Sequence, residues 1–303
     1  WGYAGALAGL ATADSFPGLL VSSFVMGMAA TAMIDAAEVA LVDLAGDHLR
    51  PYLARANLGG VVGDVAGPLL LAGAIAAGLG WRGALGLAAV LVGLFAVLLS
   101  SVPLPPPPPG AAAASSPLRV LTEVAADRRV WRLGLIAALI GPFDEPFLGF
   151  LAALAEQARG ASTVASVLLT LAAVSGGLLT FTVLERRLRA IQGRRLIVLG
   201  GPMMGAGSMA VAVLPYLPAT ALGALAVGIG LNLAWLGVQH RTLTLNPGRQ
   251  GTTKAVVSSI EMAGFGLPIA VGAVADRLGL PAAMAAYSLL AAVVVALGRR
   301  SDG

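Results

Sequence analysis

Long apolar runs follow one another along nearly the whole chain, separated by short polar stretches. A helix needs about 20 mostly apolar residues to cross the hydrocarbon of a bilayer. Ten runs have this character, with approximate limits 1–13, 18–45, 57–79, 84–102, 131–152, 162–184, 195–215, 217–239, 254–275 and 280–298. The first is too short to span and is expected to be the end of a helix. The pattern predicts an all-α polytopic membrane protein.

Composition supports this fold class and excludes several functions. Hydrophobic residues make up 58% of the chain and charged residues 11%, whereas soluble domains average roughly a quarter charged residues. The formal net charge of +4 comes from basic residues spread through short loops, so no nucleic-acid surface is expected. The chain contains no cysteine, and His48 and His240 fall in or beside loops. We therefore predict no metal site, no cofactor and, since no catalytic motif is found, no enzyme activity.

The loops between the apolar runs divide sharply by charge. One alternate set carries sixteen of the 19 basic residues, including Lys254, and the other carries Arg82, Arg159 and Arg277. Basic loops stay on the cytoplasmic side of a membrane. The split therefore predicts a multi-pass protein of the plasma or inner membrane with a cytoplasmic C-terminus.

A proline-rich connection divides the chain in two. Residues 103–130 include Pro105 to Pro109, followed by Gly110, four alanines and two serines, a composition typical of an extended polyproline linker. We expect a cytoplasmic linker there, four helices in residues 1–102 and a six-helix bundle in residues 131–303.

A weak internal repeat supports the same division. Phe16-Pro17 aligns with Leu217-Pro218, and Pro68 aligns with Pro268, at an offset near 200 residues. Transporter folds are commonly built from such repeats. A counterpart of the second bundle would begin some 70 residues before the first residue. We therefore expect the chain to correspond to helices three to twelve of a twelve-helix protein, lacking the first two helices and part of the third.

The glycine-rich stretch 55–68 resembles the loop and fifth helix of the major facilitator superfamily. Its drug/proton antiporters carry a Gly-x-x-x-Gly-Pro element, which Gly63, Gly67 and Pro68 match. The basic loop from Glu185 to Arg195 is similar to the loop between helices eight and nine of that family. The resemblance implies two six-helix bundles and transport by alternating access. Leu71 and Ala72 stand where the antiporters have further glycines, so the likeness to antiporters in particular is partial.

Acidic residues inside apolar runs are the main candidates for chemistry, because a charged side chain at the bilayer centre costs roughly 2.5 to 3.5 kcal/mol. The candidates are the pairs Asp35/Glu38 and Asp144/Glu145, together with Asp64 and Glu261. Arg132, Arg195 and Lys254 fall only at the first or second residue of a run and are counted with the loops. The acids are therefore expected to lack cationic partners, to hold protons readily and to couple transport to proton movement. The alternative is that each is a neutral acid hydrogen-bonded to a neighbouring helix.

Two prolines flank one acidic pair. Pro142 and Pro146 each remove a helical hydrogen bond, which membrane proteins tolerate only where the freed backbone is buried in protein or lines a cavity. We predict a broken helix at a central cavity with Asp144 and Glu145. The alternative is an ordinary proline kink.

Two further features are weaker. Gly59, Gly63 and Gly67 recur every four residues and are expected to allow close helix packing, with Pro68 as a bend or hinge. In the run 217–239, Asn232 and Trp235 share one face with Gln239 and form a plausible polar and aromatic lining for a solute. An interhelical hydrogen bond and an interfacial tryptophan explain them equally well.

The resulting hypothesis is a secondary transporter that exports a small amphipathic or cationic solute in exchange for protons. A proton-coupled or facilitative importer of a metabolite is the first alternative, although an anionic solute would require a buried Lys or Arg, and none is expected inside a span. A non-transporting membrane protein is the second alternative. The partners expected are a small solute, protons and the lipid bilayer.

Overall fold

The computed structural model describes residues 1–102, 116–188 and 191–300, and these are helical almost throughout. The α-helices are α1 (Gly2–Thr12), α2 (Phe16–Ala45), α3 (Leu49–Ala76), α4 (Gly80–Ser100), α5 (Pro117–Ala125), α6 (Arg128–Ile140), α7 (Glu145–Ala153), α8 (Thr163–Leu179), α9 (Glu185–Leu188), α10 (Gly193–Val213), α11 (Leu217–Leu245), α12 (Gln250–Glu261), α13 (Leu267–Leu278) and α14 (Leu280–Arg299). No strand occurs in these described ranges.

Nine helical segments of the described chain are long and apolar enough to cross a membrane. They are α2, α3, α4, Arg128–Ala158, Thr163–Leu184, α10, α11, Gln250–Leu278 and α14. Each corresponds to one of the predicted runs, and α1 corresponds to the first, short run. The sequence pattern therefore located all nine spanning elements of the described residues, with boundaries that differ by up to eight residues.

The helix boundaries follow the offset of the predicted repeat. Helix α2 begins at Phe16 and α11 begins at Leu217, while α4 begins at Gly80 and α14 at Leu280. Helix α3 likewise corresponds to the segment Gln250–Leu278. Three consecutive spans thus recur with an offset of 200 to 201 residues at their first residues.

The chain divides into two compact units. The first comprises Trp1–Ala37 and Gly63–Pro117, and the second comprises Glu38–Val62 and Leu118–Gly303. In the first unit α1 packs against α4, and small residues of α1 and α2 also meet, with Gly9 beside Ser22. The Arg82 guanidinium of α4 donates a hydrogen bond to the Ala13 carbonyl, 2.5 Å away, at the end of α1.

Helices α10 and α11 pack against each other along most of their length in the second unit. Glycines spaced seven residues apart on each helix face one another in an antiparallel register, pairing Gly193 with Gly237, Gly200 with Gly230 and Gly207 with Gly223. A Cβ atom added at Gly200 would lie 2.3 Å from the Gly230 carbonyl oxygen. Only glycine permits this approach, which maximises van der Waals contact between helices in a solvent of lipid chains.

Two spans of the second unit are interrupted. The first is broken at Gly141–Phe143, a short 3-10 segment, and Asp144 has the non-helical angles φ −86° and ψ −128° before α7 begins. The second is interrupted by the 3-10 segment Met262–Gly266, between α12 and α13. The helix break predicted at Pro142 and Pro146 is therefore present in the structure, while the central cavity beside it stays a prediction.

The two interruptions pack against each other. A Cβ atom at Gly264 would lie 2.2 Å from the Ala138 carbonyl oxygen, just before the first break. Aromatic rings cover the other side, where the Tyr287 ring of α14 meets the Phe143 and Phe147 rings edge-on, with centroids 5.0 and 5.3 Å away. Ala138 and these rings therefore cover one part of the two breaks, while Asp144, Met262 and Phe265 are exposed.

The linker differs from the prediction over part of its length. Residues 103–115, which include Pro105 to Pro109, lie outside the described residues, but Pro117–Ala125 forms the helix α5 rather than an extended chain. Proline is favoured at the first position of a helix. The apolar residues Val120 and Val124, one turn apart, then pack against the core of the second unit.

The glycine stripe of α3 also differs from the prediction. In the described chain no atom lies within 4 Å of a Cβ atom added at Gly59, Gly63 or Gly67, so the close packing expected there is absent. Pro68 lies inside the continuous helix α3. Its function as a hinge remains a prediction.

Candidate functional site

A buried ion pair lies inside the second unit. The Lys254 ammonium nitrogen is 2.9 Å from the Glu38 Oε2 atom, and each residue is 4% exposed. Charged residues are almost never this deeply buried unless they are paired. Removing both charges from water is costly, so such a pair is weak evidence for stability and a reason to ask about function.

Two amide side chains complete the cluster. The Gln239 Nε2 atom donates to Glu38 Oε1 at 2.7 Å and to Asn57 Oδ1 at 3.2 Å. In return the Asn57 Nδ2 atom donates to Gln239 Oε1 at 2.6 Å. Both amide hydrogens of Gln239 and its oxygen are therefore used. We call Glu38, Asn57, Gln239 and Lys254 the buried polar cluster.

The members of the buried polar cluster come from four helices but from one level. They lie four to eight residues from the ends of α2, α3, α11 and α12 that carry the basic loops. At 1.5 Å per residue, these depths are between about 6 and 12 Å. Glu38 and Gln239 are also 201 residues apart, which is the offset between the starts of α2 and α11. The hydrogen bond thus joins equivalent positions of the two repeats.

An aromatic side chain borders the cluster. The Lys254 ammonium nitrogen lies 5.8 Å from the centroid of the Trp235 ring, within the range of a cation–π contact. Trp235 is partly exposed, as is Asn232 one turn earlier on α11. Asn232 Nδ2 donates to the Gly228 carbonyl at 2.8 Å, an internal bond of the helix. The cluster is therefore bordered by a partly exposed aromatic ring of α11.

The position of Lys254 differs from the prediction. The charge pattern of the loops predicts Lys254 in a loop and no cation inside a span. In the structure Lys254 is the fifth residue of α12, within the candidate span Gln250–Leu278, and is paired with an acid. A signal was available, because Lys254 is the only lysine in a chain whose other basic residues are arginines. Asn57 was also missed, since it stood at the edge of a predicted span.

The second acidic pair occupies the helix break. Asp144 follows the 3-10 segment directly, Glu145 is the first residue of α7, and both are exposed. Pro142 is buried and Pro146 is the second residue of α7, a position that suits proline. Glu261 is partly buried and directly precedes the second interruption. Because the interruptions pack together, Asp144 and Glu261 flank one region of broken backbone.

The remaining predicted residues are not part of the buried polar cluster. Asp35 lies one turn before Glu38 on α2 and is partly buried, and Asp64 is exposed on α3. Gly63, Gly67 and Pro68 belong to the first unit. Their proposed functions in coupling and conformational change stay predictions. No group of metal-binding side chains occurs among the residues that the structure describes.

Comparison with known families decides the class of protein. The sequence model of the Major Facilitator Superfamily matches residues 1–272 of the 303 residues. The chain belongs to the Major Facilitator Superfamily. Members of this superfamily are transporters rather than enzymes, so membership supports secondary transport by this chain. Membership does not specify the direction, the coupling ion or the substrate. No curated protein sequence matches the chain.

Solved structures show the same fold. A single-residue variant of the Escherichia coli fucose:proton symporter FucP is 14% identical with a TM-score of 0.71, over 100% of this chain and 81% of FucP. The human organic anion transporter MFSD10 (TETRAN) is 21% identical with a TM-score of 0.69, over 98% of this chain and 74% of MFSD10. A bacterial homolog of the human lysosomal transporter Spinster is 18% identical with a TM-score of 0.52, over 99% of this chain and 80% of that chain. The major facilitator fold and a multi-pass membrane protein are therefore confirmed.

Proposed function

We propose that this member of the superfamily is a proton-coupled secondary transporter of small organic solutes in which Glu38 carries the proton. The buried Glu38–Lys254 pair is the observation that supports the proposal. A carboxyl group that loses its charge on protonation changes the strength of its pairing with Lys254, and alternating access needs such an exchangeable contact. The Gln239 Nε2 atom can donate a hydrogen bond to the Glu38 carboxyl group whether that group is ionised or protonated.

The direction of transport is the second part of the proposal. The predicted export of a cation depended partly on the absence of a cation inside any span, and Lys254 removes that reason. The partial Gly63, Gly67 and Pro68 element still favours a proton antiporter. The buried lysine removes the objection to an anionic metabolite, so we propose the alternative, uptake of a metabolite together with protons.

The other predicted groups complete the proposal. We propose that Asn232 and Trp235 contact the solute, and that Asp144, Glu145 and Glu261 at the paired helix breaks line its path. We further propose two helix bundles, residues 1–102 and 131–303, in a plasma or inner membrane with a cytoplasmic C-terminus. The sixteen-to-three distribution of basic residues between alternate loops supports this orientation, with Lys254 now moved from loop to helix.

The test is solute-dependent proton movement in proteoliposomes that enclose a pH-sensitive dye. We expect some members of a panel of sugars, organic cations and organic anions to move protons in the same direction as the solute. Glu38→Gln should abolish this movement. Glu123→Gln, which removes an exposed carboxylate of α5, is the matched control and should preserve it.

Three results would contradict parts of the proposal. Coupled movement that survives Glu38→Gln but disappears in the Asp144→Asn/Glu145→Gln double variant would move the coupling site to the helix break. Protons and solute moving in opposite directions would favour export. Solute transport with no proton movement would indicate a facilitator.

A further inference from the structure

We propose that the buried polar cluster binds an organic carboxylate, which takes the place of ionised Glu38 beside Lys254 when Glu38 is protonated. This inference rests on the proposed proton coupling at Glu38 and adds the chemical class of the solute. It uses the ammonium group of Lys254, the amide of Gln239 and the ring of Trp235.

The argument begins with the partner of Lys254. This residue is 4% exposed, and its ammonium nitrogen lies 2.9 Å from a Glu38 oxygen. A buried ammonium that loses a counter-charge is strongly destabilised. Protonation of Glu38 neutralises one counter-charge of Lys254, and an incoming carboxylate can restore it. When Glu38 loses its proton, its carboxylate again pairs with the Lys254 ammonium group. The ligand carboxylate is then displaced from that ammonium group.

The surroundings fit such a ligand. The Trp235 ring, 5.8 Å from the ammonium nitrogen, offers an apolar face to the body of a molecule whose carboxylate meets Lys254. Gln239 Nε2 now donates to a Glu38 carboxylate oxygen at 2.7 Å and could donate equally to a ligand carboxylate. Trp235 and Asn232, one turn apart on α11, are both partly exposed. The ligand would approach the cluster past these two side chains.

Other ionisable groups lie on the same four helices. They are Asp35 and Asp43 on α2, Arg50, Tyr52, Arg55 and Asp64 on α3, His240 and Arg241 on α11, and Glu261 on α12. Of these, Arg50 donates to the Ile191 carbonyl and Arg55 lies over the Tyr52 ring. Glu38 is distinguished from them by its direct contact with both Lys254 and Gln239.

Proton and anion binding are then linked. Each favours the other by the same factor, because linkage between two bound species is reciprocal. The proton resides on a Glu38 oxygen and the ligand enters and leaves as the ionised carboxylate, so no bond of the ligand changes. One proton and one monocarboxylate cross together without net charge.

The test is direct binding to the purified full chain in nanodiscs. Benzoate, nicotinate and lactate are each compared with the uncharged amide, at pH 6 and pH 8, where simple carboxylic acids stay ionised. We expect at least one carboxylate to bind about tenfold or more tightly than its amide at pH 6, and to bind about tenfold more weakly at pH 8. Glu38→Gln, which cannot change its charge, should bind with the same affinity at both pH values.

Lysine variants complete the design. Lys254→Met should lose the preference for the carboxylate, and Lys254→Arg should keep it. Glu123→Gln is the control and should leave every affinity unchanged. Should Glu38→Gln or Lys254→Met fail to fold, the comparison of acid with amide at two pH values in the unaltered chain still decides the question.

Equal affinity for acid and amide, tighter binding at pH 8, or no carboxylate binding at either pH would overturn the inference. Its failure is distinguishable from failure of the proposed function. If sugars or cations move protons through Glu38 while no carboxylate binds, only the inference is wrong. If carboxylates bind as expected but no solute moves protons in proteoliposomes, the proposed function is wrong and the binding site stands.

Discussion

At the scale of single residues, the energetics of Glu38 and Lys254 can be separated from their function. A buried ion pair contributes little compared with apolar residues of similar size, whereas a single buried charge left without its partner costs about 3–5 kcal/mol. The two side chains are equally buried and directly paired. Their variants should therefore be strongly non-additive.

We expect Lys254→Met to lower the free energy of unfolding by about 3–5 kcal/mol, because Glu38 is left buried without its paired cation. The Glu38→Met/Lys254→Met double variant should recover most of that loss, since neither charge remains. Thermal unfolding of the single and double variants in detergent measures the coupling. A double variant whose loss equals the sum of the two single losses would show that the pair does not interact.

The sequence located some of these residues but not their arrangement. Glu38 stood out because an acid in an apolar run is expensive, and Gln239 was grouped with Trp235 by helical spacing. Lys254 was misplaced because four polar or small residues precede it in the sequence and resemble a loop. The contact between positions 38, 57, 239 and 254 depends on packing of four helices, which no local pattern encodes.

At the scale of helices, the glycine register between α10 and α11 is the clearest constraint. A Cβ atom at Gly200 would lie 2.3 Å from the Gly230 carbonyl oxygen and 2.9 Å from the Ala234 Cβ atom. At Gly149 of α7 no described atom lies within 4 Å of such a Cβ atom. The two positions make a matched pair of glycine-to-alanine substitutions inside helices.

Gly200→Ala should therefore lower the free energy of unfolding by about 1–3 kcal/mol, the usual cost of overpacking. Gly149→Ala should be neutral or stabilising by up to about 1 kcal/mol, because alanine favours the helix. Both are measured by thermal unfolding in the same detergent. Equal shifts for the two variants would mean that α10 and α11 do not approach as closely as the structure shows.

Helix α5 offers a pH-dependent contact outside the spans. Hydrogen bonds from Arg119 and then from Arg249 lower the pKa of Glu123 below its ordinary value of 4.5. Because the pKa of Glu123 is lowered in the folded state, the contact stabilises the fold at any pH above the ordinary pKa of the carboxyl group. This stabilisation is lost as the pH falls through the lowered pKa of the folded state. Attachment of α5 to the start of α12 should thus be constant near neutral pH and weaken only in strong acid.

Glu123→Gln imitates the acid form at neutral pH. We expect amide hydrogen exchange in residues 118–125 to rise about two- to fivefold, the small effect typical of exposed ion pairs. Glu156→Gln, an exposed acid elsewhere in the second unit, is the control and should leave α5 unchanged. Unaltered exchange in Glu123→Gln would show that Val120 and Val124 alone hold the helix.

Helical elements were largely predictable, and their interruptions only partly so. Apolar runs of about 20 residues must be helical in lipid because every backbone group has to be satisfied internally. The break at Asp144 followed from Pro142 and Pro146. The break at Met262–Gly266 contains no proline, and its signal was the pair Gly264 and Gly266. Helix α5 could not be predicted from its own sequence, because Val120 and Val124 become buried only by packing against the core of the second unit.

At the scale of the whole molecule, the repeat and the family agree. The offset near 200 residues, read from a few weak matches, recurs in the starts of three consecutive helices. The Major Facilitator Superfamily description covers residues 1–272. The predicted class was therefore correct, whereas the solute could not be read from the sequence, since it depends on which side chains four helices bring together.

The central claim is that Glu38 couples solute movement to protons. The most direct measurement compares two activities of reconstituted protein: accumulation of a transported solute driven by a pH gradient, and exchange of labelled for unlabelled solute at equal pH. We predict that Glu38→Gln keeps exchange and loses accumulation, because the binding site persists while the proton carrier is gone. Accumulation that persists in Glu38→Gln would contradict the account.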